Sequence, residues 1–351
     1  MTASVVPRGP RDPGMRVEEP RSKGLPRPVK WAIQLLLTAG VTWLIVHRIG
    51  VSLDEALALG PAIPDPAAGW LLLSVLLLLT GFAFTATLWG RLVGELGSRN
   101  PGAWASVRIV LAANLGRYLP GKLWQMAGLA LLSRRAGVSA TVGATAGILG
   151  QTFALAAAAV LAIPVLLGPG LPAGRPGLWV LAALALCIAG ASVPPLFRGG
   201  LRVVFRLARR SDTELPRTGP LFGPRWLGWH ALSWVIYGAA FVAFVRGLGL
   251  PGNGLELAAA FAAAYLLGYI AFFAPAGIGV REGFLIAFLR PELGAAAVGV
   301  AVLTRVWMTV VELVPAGGLA LWEVLRADRV GEAREDESAL DGSRHEGRVE
   351  R

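Results

Sequence analysis

The residues with the clearest chemistry surround a helix-breaking dipeptide, Pro120-Gly121, between two apolar segments: Asn114, Arg117, Tyr118, Lys122 and Gln125. Guanidinium and ammonium groups bind phosphate, and a helix that begins after Gly121 adds free N–H groups and the positive end of its dipole. Lys122 is also the only lysine after residue 30. The pattern predicts one half of a site for an anionic group. The alternative is that Arg117 and Lys122 only extend towards lipid headgroups.

The same segment matches the G-x-x-x-x-G-K pattern of nucleotide-binding loops, from Gly116 to Lys122. Leu123 stands where that loop requires Ser or Thr to hold Mg²⁺, and the preceding residues have a helical pattern. We therefore expect no NTPase activity. Neither a cofactor nor a metal is expected, because one Cys and three His residues offer no metal-binding spacing.

A second polar group lies late in the chain and consists of Arg281, Glu282, Arg305 and Glu312. Pro275 and the following glycines break a helix, and a new helix is expected to begin at about Arg281. Paired half-helix N-termini hold anionic groups in several transporters, so this stretch predicts the second half of the site. The alternative is an ordinary turn with Arg281 and Glu282 in water.

Arg305 and Glu312 are two helical turns apart within an apolar run, so they share a helix face. We expect Arg305 to line the path of the anionic group and Glu312 to balance its charge. Alternatively, each side chain pairs with a partner on a neighbouring helix. Tyr265 and Tyr269 also share a face, but are expected to serve packing or interfacial anchoring.

The elements that position these residues are hydrophobic helices. The 351 residues are 55% hydrophobic and 16% charged, whereas soluble domains have roughly 25% charged residues. Apolar runs approach the ~20 residues that a helix needs to cross a hydrocarbon core. The composition predicts an all-α polytopic integral membrane protein with seven or eight transmembrane helices and two re-entrant, broken-helix elements.

Six apolar runs are interpreted as spans: 31–46, 70–89, 141–167, 179–197, 226–245 and 255–273. The last apolar region, 294–325, is long for one span and short for two. Residues 106–118 and 123–132 are too short to cross, and we expect them to form a re-entrant pair. Gly143, Gly147 and Gly150 recur at a spacing that allows close helix packing.

The net charge of +11 comes from basic residues between the apolar runs, as in cytoplasmic loops of membrane proteins. This distribution explains the charge without nucleic acid, which is not expected as a partner. We expect a cytoplasmic N-terminus and a multi-pass location in the plasma or inner cell membrane. Residues 1–30 and 326–351 are expected to be disordered tails that flank one transmembrane domain, 31–325.

Two of these stretches resemble signatures of a known family. Residues 114–124, with Arg-Tyr-Leu-Pro-Gly-Lys-Leu-Trp, resemble the first signature of the flippase-like transmembrane domain of lysylphosphatidylglycerol synthases. Residues 275–282 resemble its second signature, and Arg305 ahead of 315–318 is similar to its terminal helix. The resemblance covers about 30–325 and implies a polytopic protein associated with moving a phospholipid across the inner membrane. The residues after 325 are too few for the synthase's soluble domain, so lysyl transfer is not expected.

The leading hypothesis is a membrane lipid translocator without catalytic residues. An anionic phospholipid or polyprenyl-phosphate lipid would bind or move through a polar groove between the two broken-helix elements. One alternative is a membrane enzyme that acts on a lipid-linked substrate, with Glu282 or Glu312 as its acid or base. Another is a non-transporting partner of a membrane glycosyltransferase. A homo-oligomer is compatible with each hypothesis.

Overall fold

The computed structural model describes residues 66–118, 123–166, 199, 221–271, 277 and 279–319, and within these ranges every regular element is helical. The elements are α1 (Ala68–Glu95), α2 (Ala103–Asn114), a 3-10 turn (Leu115–Tyr118), α3 (Leu123–Arg135), α4 (Ala140–Leu166), α5 (Phe222–Gly247), α6 (Gly254–Ile270), α7 (Val280–Leu293) and α8 (Ala296–Leu319). The all-α prediction is confirmed. The spans predicted at 31–46 and 179–197, and both predicted tails, lie outside the described residues.

Four of the described helices, α1, α4, α5 and α8, are long and apolar enough to cross a bilayer. Their outer faces carry large apolar side chains, among them Leu72 and Leu76 on α1 and Val310 and Val314 on α8, all at least half exposed. Such continuous apolar exposure suits contact with lipid rather than water. The chain is therefore a multi-pass membrane protein. Between 294 and 325, the described residues form one long helix, α8.

The helices pack around two apolar clusters that share α1, α4 and α5. One cluster joins parts of those helices to α6, α7 and α8, and the other joins their remaining parts to α2 and α3. Two buried indoles hold α4 in place, because Trp89 donates to the Gly143 carbonyl (3.0 Å) and Trp234 to the Ala154 carbonyl (2.7 Å). Both indole N–H groups are thus satisfied away from water.

Helices α2 and α3 are the two short segments predicted before and after Pro120-Gly121. They run back along each other: a Cβ at Gly116 would lie 2.7 Å from the carbonyl carbon of Trp124, and one at Gly128 would lie 3.2 Å from the Cα of Ala113. Backbones approach this closely only where a residue lacks a side chain. The predicted pair of short helices is present, although its linking residues 119–122 lie outside the described ranges.

Helix α4 uses two of its glycines as predicted. A Cβ at Gly143 would overlap Ser133 on α3, and one at Gly147 would lie 2.5 Å from the Leu129 side chain. Gly150 differs, because its nearest neighbour is a ring nitrogen of His230, 3.9 Å from the position of a Cβ. The glycine spacing therefore allows α3 to pack on α4 and leaves space beside His230.

The second predicted break separates α6, which ends at Ile270, from α7, which begins at Val280. Gly279, with φ of +82°, precedes α7, and its N–H donates to the Glu282 carboxylate (2.7 Å). Glu282 thereby satisfies one of the free N–H groups at the start of this helix. The helix start expected near Arg281 is confirmed to within one residue.

Candidate anion-binding site

Three arginines from separate parts of the chain line one cavity of about 80 Å³, which we call the arginine cavity. Arg117 belongs to the 3-10 turn after α2, Arg281 to the first turn of α7, and Arg305 to α8. Glu312 lines the same cavity from α8. The two broken-helix elements therefore meet at one site, together with a helix long enough to span a membrane.

Arg117 and Glu312 form an ion pair across this cavity, with 3.0 Å between Nη2 and Oε1. The Glu312 side chain is only 3% exposed and that of Arg117 is 27% exposed. A carboxylate buried this deeply needs a cation or hydrogen-bond donors to remain charged. The pair therefore ties the first broken-helix element to α8.

Arg305 lies 3.8 Å (Nη1 to Oε1) from Glu282, and both side chains are nearly buried. The other oxygen of Glu282 accepts the Gly279 N–H, so this carboxylate both caps α7 and faces Arg305. Glu282 does not itself line the cavity. Its effect on the cavity is indirect: it caps the start of α7 and partly balances the charge of Arg305.

Arg281 is held differently, without an ion pair among the described residues. Its guanidinium lies 5.1 Å from the ring centroids of both Phe261 and Tyr265. Its Nη2 also lies 2.9 Å from the sulfur of Met308. Aromatic faces and a thioether orient a guanidinium without cancelling its charge. Of the three arginines, Arg281 therefore offers its charge most directly to a bound anion.

The described cluster carries a formal charge of +1, because three guanidinium groups face the two carboxylates of Glu282 and Glu312. Apolar helices surround it, so the interaction with an added charge is stronger than it would be in water. The arrangement favours a monoanion such as a phosphodiester. Planar guanidinium groups match the geometry of phosphate oxygens.

A second cavity of about 140 Å³ adjoins the first, and we call it the aromatic cavity. Arg117, Gln125 and Gln151 line both cavities. The Gln125 amide donates to Asn114 (2.7 Å), which fixes α3 against the end of α2 at this boundary. The remaining wall is largely apolar and aromatic, with contributions from α1, α4 and α5. The two cavities together join a cationic end to a largely uncharged end.

The structure brings most of the sequence-predicted site residues to these two cavities. The arginine cavity is lined by Arg117, Gln125, Arg281, Arg305 and Glu312, while Asn114 lines the aromatic cavity and Glu282 lies behind the first. Lys122 and the side chain of Tyr118 lie outside the described residues. Arg305 and Glu312 both line the arginine cavity from α8. Each pairs with a partner on another element, Arg305 with Glu282 and Glu312 with Arg117, which is the alternative considered from the sequence.

Several cavity residues were not predicted from the sequence. Tyr265 and Tyr269, which we expected to serve packing or anchoring, line the arginine cavity, as does Met308. Gln151 and His230 also face the cavities. The available signal was that each is an isolated polar residue within a long apolar run, where polar groups are costly. Met308 gave no such signal, because a methionine in an apolar helix is ordinary.

The comparisons with known proteins agree with this architecture. A family model described as the lysylphosphatidylglycerol synthase TM region matches residues 31–316, most of the chain. No curated protein and no solved structure gave a significant match.

Proposed function

The chain belongs to the lysylphosphatidylglycerol synthase transmembrane family, and from this premise and the arginine cavity we propose that it is a lipid translocator. Its substrate would be an anionic phospholipid or polyprenyl-phosphate lipid. Family membership itself supports the coarser statement of a membrane protein with a lipid-related function. The finer proposal depends on the geometry of the site.

The observation that carries the proposal is the convergence of Arg117, Arg281 and Arg305 on one cavity within an apolar helix bundle. Charged side chains at membrane depth are costly and generally serve a substrate or ion pathway. Structural ion pairing alone accounts poorly for this cluster, because Arg281 has no carboxylate partner among the described residues. A lipid phosphate would supply the missing negative charge while its acyl chains stayed in the bilayer.

The pair between Arg117 and Glu312 suggests how a headgroup would be admitted. In the structure, the Glu312 carboxylate forms an ion pair with the Arg117 guanidinium, and both side chains line the arginine cavity. A phosphate diester has the same charge and a similar array of acceptor oxygens, so it would compete for Arg117. Partner exchange at Arg117 would couple headgroup entry to the contact between the first broken-helix element and α8.

We extend the proposal to orientation and to the absence of catalysis. The basic segments 91–140 and 198–225 support a cytoplasmic location for both, in a plasma or inner membrane. Glu282 and Glu312, the candidate acid or base residues, are engaged by Gly279 and Arg305 and by Arg117, respectively. These contacts use both carboxylates to hold the start of α7 and to pair with arginines, which suits a positioning role.

The test is transport of labelled lipid by the purified protein in liposomes. We expect labelled phosphatidylglycerol or a polyprenyl phosphate, assayed separately, to cross between leaflets faster than in protein-free liposomes. Arg281→Gln should lower the rate by at least about tenfold, since it removes a charge-assisted contact. The matched control is Arg290→Gln, an exposed arginine on the same helix, which should leave the rate unchanged.

Equal leaflet exchange with and without protein, for both lipids, would overturn the translocator proposal. Retained translocation in the separate Glu282→Gln and Glu312→Gln variants would further argue against a required acid or base. A requirement for a co-expressed membrane glycosyltransferase, with no transport by the protein alone, would instead favour a partner role.

A further inference from the structure

His230 is a buried histidine whose hydrogen-bonding capacity is unused within the described part of the chain. The residue is 4% exposed, and neither ring nitrogen has a hydrogen-bond partner there. Its ring stacks on Phe153 at 6.3 Å and lies 6.4 Å from Trp226, so the orientation of the imidazole is set by packing. Buried polar groups are normally paired, and an exception requires an explanation.

The imidazole lines the aromatic cavity, next to the space that Gly150 leaves on α4. The cavity volume is about 140 Å³, on the order of ten times what one ordered water needs. The imidazole of His230, whose nitrogens are unpaired in the described ranges, therefore forms part of the wall of a space large enough for a small organic group.

Gln151, the residue after Gly150 on α4, provides a second unused polar group. Its Nε2 is buried without a hydrogen-bond partner in the described ranges, and the residue lines both the aromatic and the arginine cavity. A ligand that occupied both cavities would pass this amide. Gln151 thus lies where the two cavities meet, and His230 lies in the wall of the largely uncharged aromatic cavity.

The charge of the aromatic cavity restricts what can occupy it. Arg117 is the only charged side chain among the described residues of its wall, so an ammonium group there would meet repulsion and no carboxylate. Arg281 already lies against the rings of Phe261 and Tyr265, and Trp234 packs edge-on against Tyr265. These aromatic side chains are therefore poorly placed to form a cage around a second cation.

A hydroxyl group fits the unused groups better. A neutral imidazole offers one donor and one acceptor, and a side-chain amide offers both kinds of group. A hydroxyl both donates and accepts, so polyol or sugar hydroxyls can satisfy these positions without adding charge. A purely apolar occupant would leave the polar groups unpaired.

We propose that the aromatic cavity is a subsite for a neutral, hydroxyl-bearing headgroup whose phosphate lies in the arginine cavity, with His230 and Gln151 as its hydrogen-bond partners. The inference rests on the proposed function, because it assumes that the arginine cavity holds a lipid phosphate. It adds a substrate class: lipids with a phosphate-linked polyol or sugar, in preference to lipids with a cationic headgroup.

The test compares short-chain lipids that differ in the group joined to the phosphate, bound to the full-length protein in detergent. The series is phosphatidic acid, phosphatidylglycerol and phosphatidylethanolamine, and a polyprenyl phosphosugar forms a separate arm that distinguishes a sugar from a glycerol source. We expect the hydroxylated headgroups to bind about tenfold more tightly than the other two, which one or two hydrogen bonds can supply.

Variants assign this preference to the two side chains. His230→Phe and Gln151→Leu should each lower the preference for phosphatidylglycerol over phosphatidic acid from about tenfold to about threefold, since each removes one of the two hydrogen bonds. The affinity of His230→Phe for phosphatidic acid should stay unchanged, because His230 lines the aromatic cavity and not the arginine cavity; this measurement also reports an intact fold and arginine cavity. His230→Gln, which keeps hydrogen-bonding groups, should retain part of the preference. Leu232→Phe, an outward-facing change on α5, should retain all of it.

Failures of the two proposals give different results. Equal affinity for the three phospholipids, tighter binding of the ethanolamine lipid, or an unchanged preference in both variants would overturn the subsite and leave the anion site intact. Loss of the preference in Leu232→Phe as well would also overturn the assignment to His230 and Gln151. No binding of any anionic lipid, phosphatidic acid included, would overturn the proposed function and the subsite together.

Discussion

The guanidinium of Arg117 and the carboxylate of Glu312 are 3.0 Å apart, and this pair connects the 3-10 turn after α2 to the last described helix. Arg117 also lines both cavities. The same ion pair therefore contributes to the packing of the helices and determines whether Arg117 is available to a ligand. Its loss should be visible both in stability and in lipid binding.

Arg117→Gln should lower the stability of the protein by about 3 kcal/mol, because it leaves the buried Glu312 carboxylate without its cation. The exchange Arg117→Glu with Glu312→Arg should recover part of this loss, and a double-mutant cycle from unfolding in detergent measures the coupling. The half-exposed pair of Glu95 and Arg225 is the control, and Glu95→Gln should cost under about 1 kcal/mol. Strictly additive effects at Arg117 and Glu312 would contradict the coupling.

Arg281→Lys should weaken binding of phosphatidic acid by about tenfold although the charge is kept. Lysine cannot reproduce the planar contacts with Phe261 and Tyr265 or the two-point contact with a phosphate. Arg290→Lys on the exposed face of α7 is the matched control. Equal binding by the Arg281 and Arg290 variants would show that only net charge matters at this position.

Gly277→Ala should destabilise the second broken-helix element by at least about 1 kcal/mol. The residue has φ of +71°, which an alanine adopts at a cost of about 1–2 kcal/mol, and its Cβ would lie 2.9 Å from the backbone oxygen of Gly268. Gly283→Ala on α7, where a Cβ meets open space, is the control and should be neutral or mildly stabilising. Comparison of their unfolding temperatures checks this, and similar temperatures for both variants would argue against the close approach of Gly277 to α6.

Gly116→Ala should separate α2 from α3, because a Cβ there would lie 2.7–2.8 Å from the backbone of Trp124 and Gln125. Backbone cannot move aside as a flexible side chain can, so we expect a loss of about 1–3 kcal/mol, as in overpacked cores. Cysteine cross-linking between α2 and α3 should fall in parallel. Gly228→Ala on α5, which has open space around it, should preserve both stability and cross-linking.

Much of the fold could be predicted from the sequence, because its determinants are local. Apolar run length indicated which segments are long helices, and the predicted 141–167 corresponds closely to α4, Ala140–Leu166. Pro120-Gly121 and the stretch after Pro275 indicated where helices break, since proline and repeated glycines disfavour a continuous helix wherever they occur. Most predicted helix ends lie within about one turn of those observed, but α1 continues to Glu95, beyond the predicted end at 89, because ends depend on capping and packing.

By itself, the sequence determined that an apolar helical bundle carries two broken elements with basic residues beside them. Only the tertiary structure decided that Arg117 pairs with Glu312, that Tyr265 packs against Arg281, and that His230 faces a cavity. These relationships depend on which helices are neighbours and on how each is rotated about its axis. A membrane helix that is apolar on every side has little amphipathic pattern to reveal that rotation, so long-range packing sets it.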